Sequence, residues 1–297
     1  MPIEREPIEH ESPARSRGAA AAPGWSGAPL SRRTFLRLGG VTGLAALTAT
    51  GAASAYAFDV VEVSAAASGL RDPVRVAFLT DLHYGPLVRE ASVTSWVDAA
   101  LDLAPDLIVL GGDVVDALAP SDLTPLLLQL ARLRAPLGVY AVSGNHEYSR
   151  FGSLRLLRAA LWDAGVRVLA DEGALLRDDL YLAGVDTGRG YGRVRVEAAL
   201  AGQPARSACL LASHKPDVLP RVPDTVDLTL CGHTHGGQIR IPGVGAIVTR
   251  TALGQAGTQG FVRAPALGYV SRGLGVVHVP LRLNCPAELT IVTLLPA

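Results

Sequence analysis

The chain has 297 residues, is 49% hydrophobic and 18% charged, and carries a formal net charge of zero. That composition supports a large packed core and excludes a disordered chain. It supplies no overall basic field, which argues against a dedicated nucleic-acid binder, and its three scattered cysteines, Cys209, Cys231 and Cys285, form no Cys-x-x-Cys pair for a structural zinc site or a disulfide framework.

Residues 1–30 are rich in Pro, Ala, Gly and charge and show no apolar period, so they read as disordered. Arg32-Arg33 and Phe35-Leu36 then precede an uncharged run, residues 38–57. The pattern is similar to a twin-arginine export signal, with Arg37 where lysine is more usual. Ala55-Tyr56-Ala57 fits a small-x-small cleavage site, while the run is long enough to cross a bilayer if it stays attached. Cleavage, a retained anchor and an unrelated apolar helix are all compatible with these residues. Residues 58–73 read as a linker.

The folded part is expected from Val74 onward. Residues 74–79 form a buried strand that runs into Asp81 and His83. An unpaired carboxylate at such a place must be paired, protonated or metal-bound. Two residues apart in an extended chain, Asp81 and His83 point to one side, as ligands of a transition metal do. A helix is expected over 90–103, with Val93, Trp96, Val97 and Ala100 in register and Pro105 as its stop. An apolar strand at 107–110 leads into Gly112-Asp113, and a second helix is expected over 120–134. The strand at 139–142 runs into Gly144-Asn145-His146-Glu147, and a helix at 154–164 is closed by Gly165. Three βα units thus deliver polar residues to the carboxyl ends of strands, where open α/β sheets bind ligands.

The second half is richer in strands, at 166–169, 180–185, 208–212 and 226–230, with a short helix at 196–200. Two of these strands end in Ser213-His214 and in Gly232-His233-Thr234-His235. Five of the seven histidines stand at strand ends; His10 and His278 do not, and His278 is read as a structural residue in an alternating strand.

The ordered blocks Asp81-x-His83, Gly112-Asp113, Gly144-Asn145-His146-Glu147, His214 and Gly232-His233-x-His235 resemble the calcineurin-like metallophosphoesterase family. The resemblance covers residues 74–297, and the closing stretch from Pro280 to Leu289 looks like its exported bacterial branch. It implies an α/β fold, a four-layer α-β-β-α sandwich with two mixed sheets. It also implies that Asp81, His83 and His235 hold one divalent ion, that Asn145, His214 and His233 hold a second, and that Asp113 bridges them. Oxygen and imidazole donors suit Mn, Fe or Zn. Such a pair clamps a phosphoryl group and acidifies a water for attack. His146 is implied as the catalytic residue beside the ligands; otherwise it is a structural histidine bonded to a carboxylate such as Glu147. Asp116 replaces the tyrosine of purple acid phosphatases, which speaks against an iron–phenolate centre. Tyr84, Arg189 and Arg240 are candidates for phosphate contact.

These residues point to an exported phosphohydrolase acting on a phosphomonoester, phosphodiester or pyrophosphate, small or lipid-linked. Its expected partners are the twin-arginine export machinery and, through residues 38–57, the membrane. A nuclease and a non-catalytic metal-binding module of the same fold are the alternatives.

Overall fold

Alternation along each strand divides the apolar residues into three clusters, and these define the layers. The computed structural model describes residues 55–151, 153–187 and 194–297. In β2 (Val74–Leu79), Val74, Val76 and Phe78 face one cluster while Ala77 and Leu79 face another. The same split recurs in β3 (Leu107–Leu110), consistent with strands buried on both faces.

One sheet takes the order β1-β14-β2-β3-β4-β5, from β1 (Phe58–Ala67), β4 (Val139–Ala141), β5 (Arg167–Val168) and β14 (Ala287–Pro296) in addition to β2 and β3. Strands β2 to β5 are parallel, and β14 runs antiparallel to β2 and parallel to β1. The second sheet takes the order β12-β13-β9-β8-β7-β6. It contains β6 (Glu172–Arg177), β7 (Leu180–Val185), β8 (Ala208–Ser213), β9 (Leu228–Cys231), β12 (Gly260–Arg263) and β13 (Leu267–Val270). Its parallel centre, β7-β8-β9-β13, is flanked by antiparallel β6 and β12. A small ribbon pairs β10 (Arg240–Ile241) with β11 (Gly245–Ala246).

The two large sheets face each other across a shared core that joins Val76, Phe78 and Val109 to Leu182, Leu210 and Leu228. Helices α1 (Glu90–Asp102), α2 (Thr124–Leu130) and α4 (Arg155–Asp163) cover the outer face of the first sheet. Helix α5 (Val196–Leu200) and the 3₁₀ turn Pro216–Arg221 cover that of the second. The expected four-layer order is therefore present. The remaining helix, α3 (Asn145–Phe151), begins inside the Gly-Asn-His-Glu block.

Local chemistry sets the boundaries. Helix α4 ends in a Schellman closure, with Gly165 at φ +80° and Val166 N–H donating to Leu161 O at 2.8 Å. Helix α2 is shorter than expected. Asp122 Oδ1 accepts from Thr124 N–H at 2.9 Å and Pro125 fixes the first turn, so residues 120–123 stay outside it.

Residues 58–73, expected as a linker, instead hold the ten-residue strand β1, paired along its whole length with β14. Alternation in β1 is regular from Val61 onward, with Val61, Val63, Ala65 and Ala67 inward and Glu62, Ser64 and Ala66 exposed, but the inward residues shrink to alanine, which weakens the signal in the sequence. His278 also departs from expectation, lying in an exposed bend at φ +65° rather than in a strand. The cysteines are free and buried, as expected. The paired arginines, residues 38–54, His10 and Arg189 lie outside the described residues.

Candidate metal centre

Every polar block falls at the carboxyl edge of a parallel strand. Asp81 and His83 follow β2, Asp113 follows β3, Asn145 follows β4, His214 follows β8, and His233 and His235 follow β9. The two sheets bring these ends together. His83 Nε2 lies 3.0 Å from His235 Nε2, and His214 Nε2 lies 3.2 Å from His233 Nδ1. Asp113 Oδ2 stands between the two pairs, 3.7 Å from His83 Nε2 and 3.1 Å from His214 Nε2. Asp81 Oδ1 is 3.4 Å from His235 Nε2.

Three groups have ligand atoms close enough to hold a metal ion: Asp81 with His83 and His235, Asp113 with His214 and His233, and His83 with Asp113 and His146. The donor set fits a divalent cation on observations independent of the motif. Paired imidazole nitrogens at 3.0–3.2 Å are at the separation of ligands sharing an ion with bonds of about 2.1 Å. Asn145 Oδ1 is buried and has no hydrogen-bond partner, the condition of a donor kept for something else. His214 Nδ1 is fixed on Gly111 O at 2.9 Å, which turns Nε2 inward, as an outer hydrogen bond does for a metal-binding histidine.

The backbone carries strain at these positions. Asp81, His83, Asp113, His233 and His235 all adopt positive φ, between 49° and 72°. Non-glycine residues rarely do so, and such strain concentrates at functional sites. Glycines make the close approach possible. A Cβ on Gly144 would meet Asp113 Oδ1 at 2.1 Å, and one on Gly232 would meet Asp81 Oδ2 at 2.3 Å. Gly144→Ala is accordingly expected to displace Asp113 and lower metal content and turnover by at least about tenfold while secondary structure by circular dichroism stays intact; unchanged metal content would contradict this placement.

Burial and mutual charge divide the histidines. Burial pulls His233 down to about 2, assisted by His214, and pulls His235 well below its ordinary value. Burial also works against protonated His214, but Asp113 and Asp81 outweigh it and hold this imidazole up at about 9. Burial pushes Asp113 up, yet His214 and His83 hold it well below the carboxylate range. A cation must replace the proton on His214, so metal affinity is expected to rise with pH up to about 9. Titration of Mn²⁺ into metal-free protein at pH 7 should release protons, and His214→Gln should abolish part of that release.

Three residues that the sequence did not assign support this centre. Glu147 is buried, and its carboxylate accepts from the N–H groups of Asp113, Val114, Val115 and Gly144 at 2.5–3.2 Å. It binds the ligand loops together and is not the partner of His146. That partner is Asp116, whose Oδ2 lies 3.5 Å from His146 Nδ1 and 3.5 Å from His83 Nδ1. Its spacing after Asp113 was the available signal. Arg282 is buried and donates to the carbonyls of Arg272, Gly273, Gly275 and Cys285 at 2.7–3.2 Å. It braces the segment whose Gly275 N–H holds Asp81 O at 2.7 Å. A lone arginine between leucines in a proline-bounded stretch gave no sign of this.

The proposed phosphate contacts fare differently. Tyr84 belongs to the core, and Arg240 is engaged with Gly236 O and Thr258 Oγ1. A cleft of about 610 Å³ opens beside the start of α3, lined by Ser143, Tyr148, Arg155, Arg158, Asp171 and Arg195 among others.

A two-sheet α/β sandwich with imidazoles and carboxylates converging at the strand ends defines a metallophosphoesterase-type protein. The chain belongs to the calcineurin-like phosphoesterase family, whose model matches residues 74–237. It is 34% identical over 229 residues to an uncharacterized metallophosphoesterase of Aquifex aeolicus, covering 74% of this chain and 85% of that one. It is 33% identical over 237 residues to phosphodiesterase YaeI of Escherichia coli, covering 75% and 82%. It is also 34% identical over 242 residues to a Bos taurus transmembrane protein with a metallophosphoesterase domain, covering 73% of this chain and 52% of that one.

Proposed function

We propose that this chain is an exported hydrolase of phosphomonoester, phosphodiester or pyrophosphate bonds that works with two divalent ions of Mn, Fe or Zn type. The observation that carries the reading is the position of Asp113, whose Oδ2 faces both histidine pairs. Asp81, His83 and His235 would hold one ion, Asn145, His214 and His233 the other, and Asp113 would serve both. When bound, the ions supply Lewis acidity and a nucleophilic water at neutral pH.

The chain's own residues do the rest. Two carboxylates balance half the charge of two divalent ions, which leaves net positive charge to attract a phosphoryl group. His146 is half-buried at the rim. Its Nδ1 accepts from Ala117 N–H at 3.3 Å, which leaves the proton of the neutral ring on Nε2, where it donates a hydrogen bond to a phosphoryl or leaving oxygen and stabilises the charge that develops there. Asp116 Oδ2, 3.5 Å from the same Nδ1, favours the imidazolium, the form that transfers a proton outright. Arg155 in the adjacent cleft orients the remainder of an anionic substrate; Arg158 beside it is engaged with Val168 O and Glu172 Oε1.

Export is supported by the twin-arginine pattern, and attachment by the uncharged run at 38–57. Among the described residues no helix is long and apolar enough to cross a membrane. The complete ligand set favours catalysis over a binding module. Purified full chain with Mn²⁺ should hydrolyse bis-p-nitrophenyl phosphate and lose that activity to chelator; no turnover on mono-, di- or pyrophosphate substrates under metal loading would overturn the reading.

A further inference from the structure

The conversion of residues 58–67 from expected linker to strand removes any slack between the uncharged run and the catalytic edge. Strand β1 starts at Phe58 opposite Ala287, and β14 is antiparallel to β2 with Thr290 opposite Phe78. Phe58 therefore stands at the same end of the sheet as Asp81. The residues just before it are fastened there too. Ala55 is fully buried in the cluster that contains Leu82 and Val88, and Tyr56 Oη donates to Leu87 O at 2.8 Å. The first two residues of the small-x-small site are thus tied to the fold, while Tyr56 and Ala57 keep exposed surface.

The catalytic edge also carries the exposed apolar side chains. Leu118, 77% exposed, stands two residues after Asp116. Val244 and Ile247, 66% and 58% exposed, lie on the ribbon and loop that pack on Gly237, where a Cβ would meet Ala246 and Val248. Val279, also exposed, sits on a backbone carbonyl that Gln238 holds at 3.3 Å. All three segments touch loops that carry Asp113 or His235. Other exposed apolar residues, such as Leu128, Trp162 and Phe261, are spread over outer helices and edge strands.

We propose that residues 38–57 remain attached, with 38–54 as a membrane anchor, and that the rim of Leu118, Val244, Ile247 and Val279 rests on the lipid surface, so that the metal centre opens toward phosphate esters at the bilayer. Exposed apolar residues gathered at one edge mark a protein or membrane contact site, and the anchor selects the membrane. A weak rim suffices, because an anchor that joins the fold at that same edge keeps the rim at high effective concentration beside the bilayer. The inference rests on the anchoring part of the functional reading, and its readout does not depend on turnover.

The test uses the full chain carrying Val244→Cys or Leu295→Cys, labelled with an environment-sensitive fluorophore. The three native cysteines are buried. Leu295 is exposed near the far end of β14, roughly 26 Å from Ala287. Each protein is reconstituted into vesicles of equal parts phosphatidylethanolamine and phosphatidylglycerol doped with nitroxide lipid. The expected result is quenching at least threefold stronger at position 244 than at 295, with residues 38–57 still present by mass. Equal or reversed quenching on vesicle-bound protein would overturn the orientation alone. A label at 244 already shielded without vesicles would assign the rim to a second copy, and protein cut after Ala57 or left off the vesicles would overturn the anchoring as well.

Discussion

Asp113→Asn is expected to empty both halves of the centre and to lower turnover about a thousandfold or more. No other carboxylate in the described residues faces both histidine pairs; Oδ2 lies 3.1 Å from His214 Nε2 and 3.7 Å from His83 Nε2. Asparagine keeps the shape and preserves the acceptor for His146 N–H, now 2.8 Å from Asp113 Oδ1. It removes the charge that draws His214 and His83 together and puts an amide where a bridging anion is required. The fold should survive, because Glu147 continues to hold the backbone N–H groups of residues 113–115. Elemental analysis beside circular dichroism checks this. A folded variant with full metal content would show that Asp113 is not the bridge.

His146→Gln is expected to keep its metal and lose between about a hundredfold and ten-thousandfold in turnover, the span of a single general acid. Geometry leaves a rival role open to inspection, since His146 ligand atoms lie within 4.8 Å of those of His83 and Asp113. The two roles separate cleanly in measurement. A residue that acts on the leaving oxygen leaves metal content untouched while turnover falls. A ligand takes the metal with it. Burial lowers this imidazole below its ordinary value, opposed by Asp113 and Asp116, so it is neutral and proton-bearing on Nε2 near pH 7. Asp116→Asn should act in the same direction through the same nitrogen, by about tenfold.

What the sequence disclosed depended on where chemistry is local. Strand ends were legible because apolar runs stop abruptly at Asp81, Asp113 and His214, and the helices of the first half because Trp96 and Leu157 lie on regular stripes. Strand β1 was not legible. Its hydrogen bonds go to β14, more than two hundred positions later in the chain, and its inward side chains shrink to alanine at positions 65 and 67, so the apolar alternation fades in the sequence. Glu147 and Asp116 were visible as residue types but not as roles: Glu147 bonds to the backbone of a distant loop, which leaves no mark on spacing, and Asp116 was marked only by standing three residues after Asp113. The positive φ values at five of the seven proposed ligand positions were equally hidden, since nothing in an aspartate or histidine signals a left-handed backbone.

The account turns on one shared carboxylate between two cations. Electron paramagnetic resonance of the Mn²⁺-loaded chain measures that directly. Two ions per chain with the broad, exchange-coupled spectrum of a pair roughly 3.5–4 Å apart is the predicted outcome. A sharp six-line signal of isolated ions at full loading would contradict it.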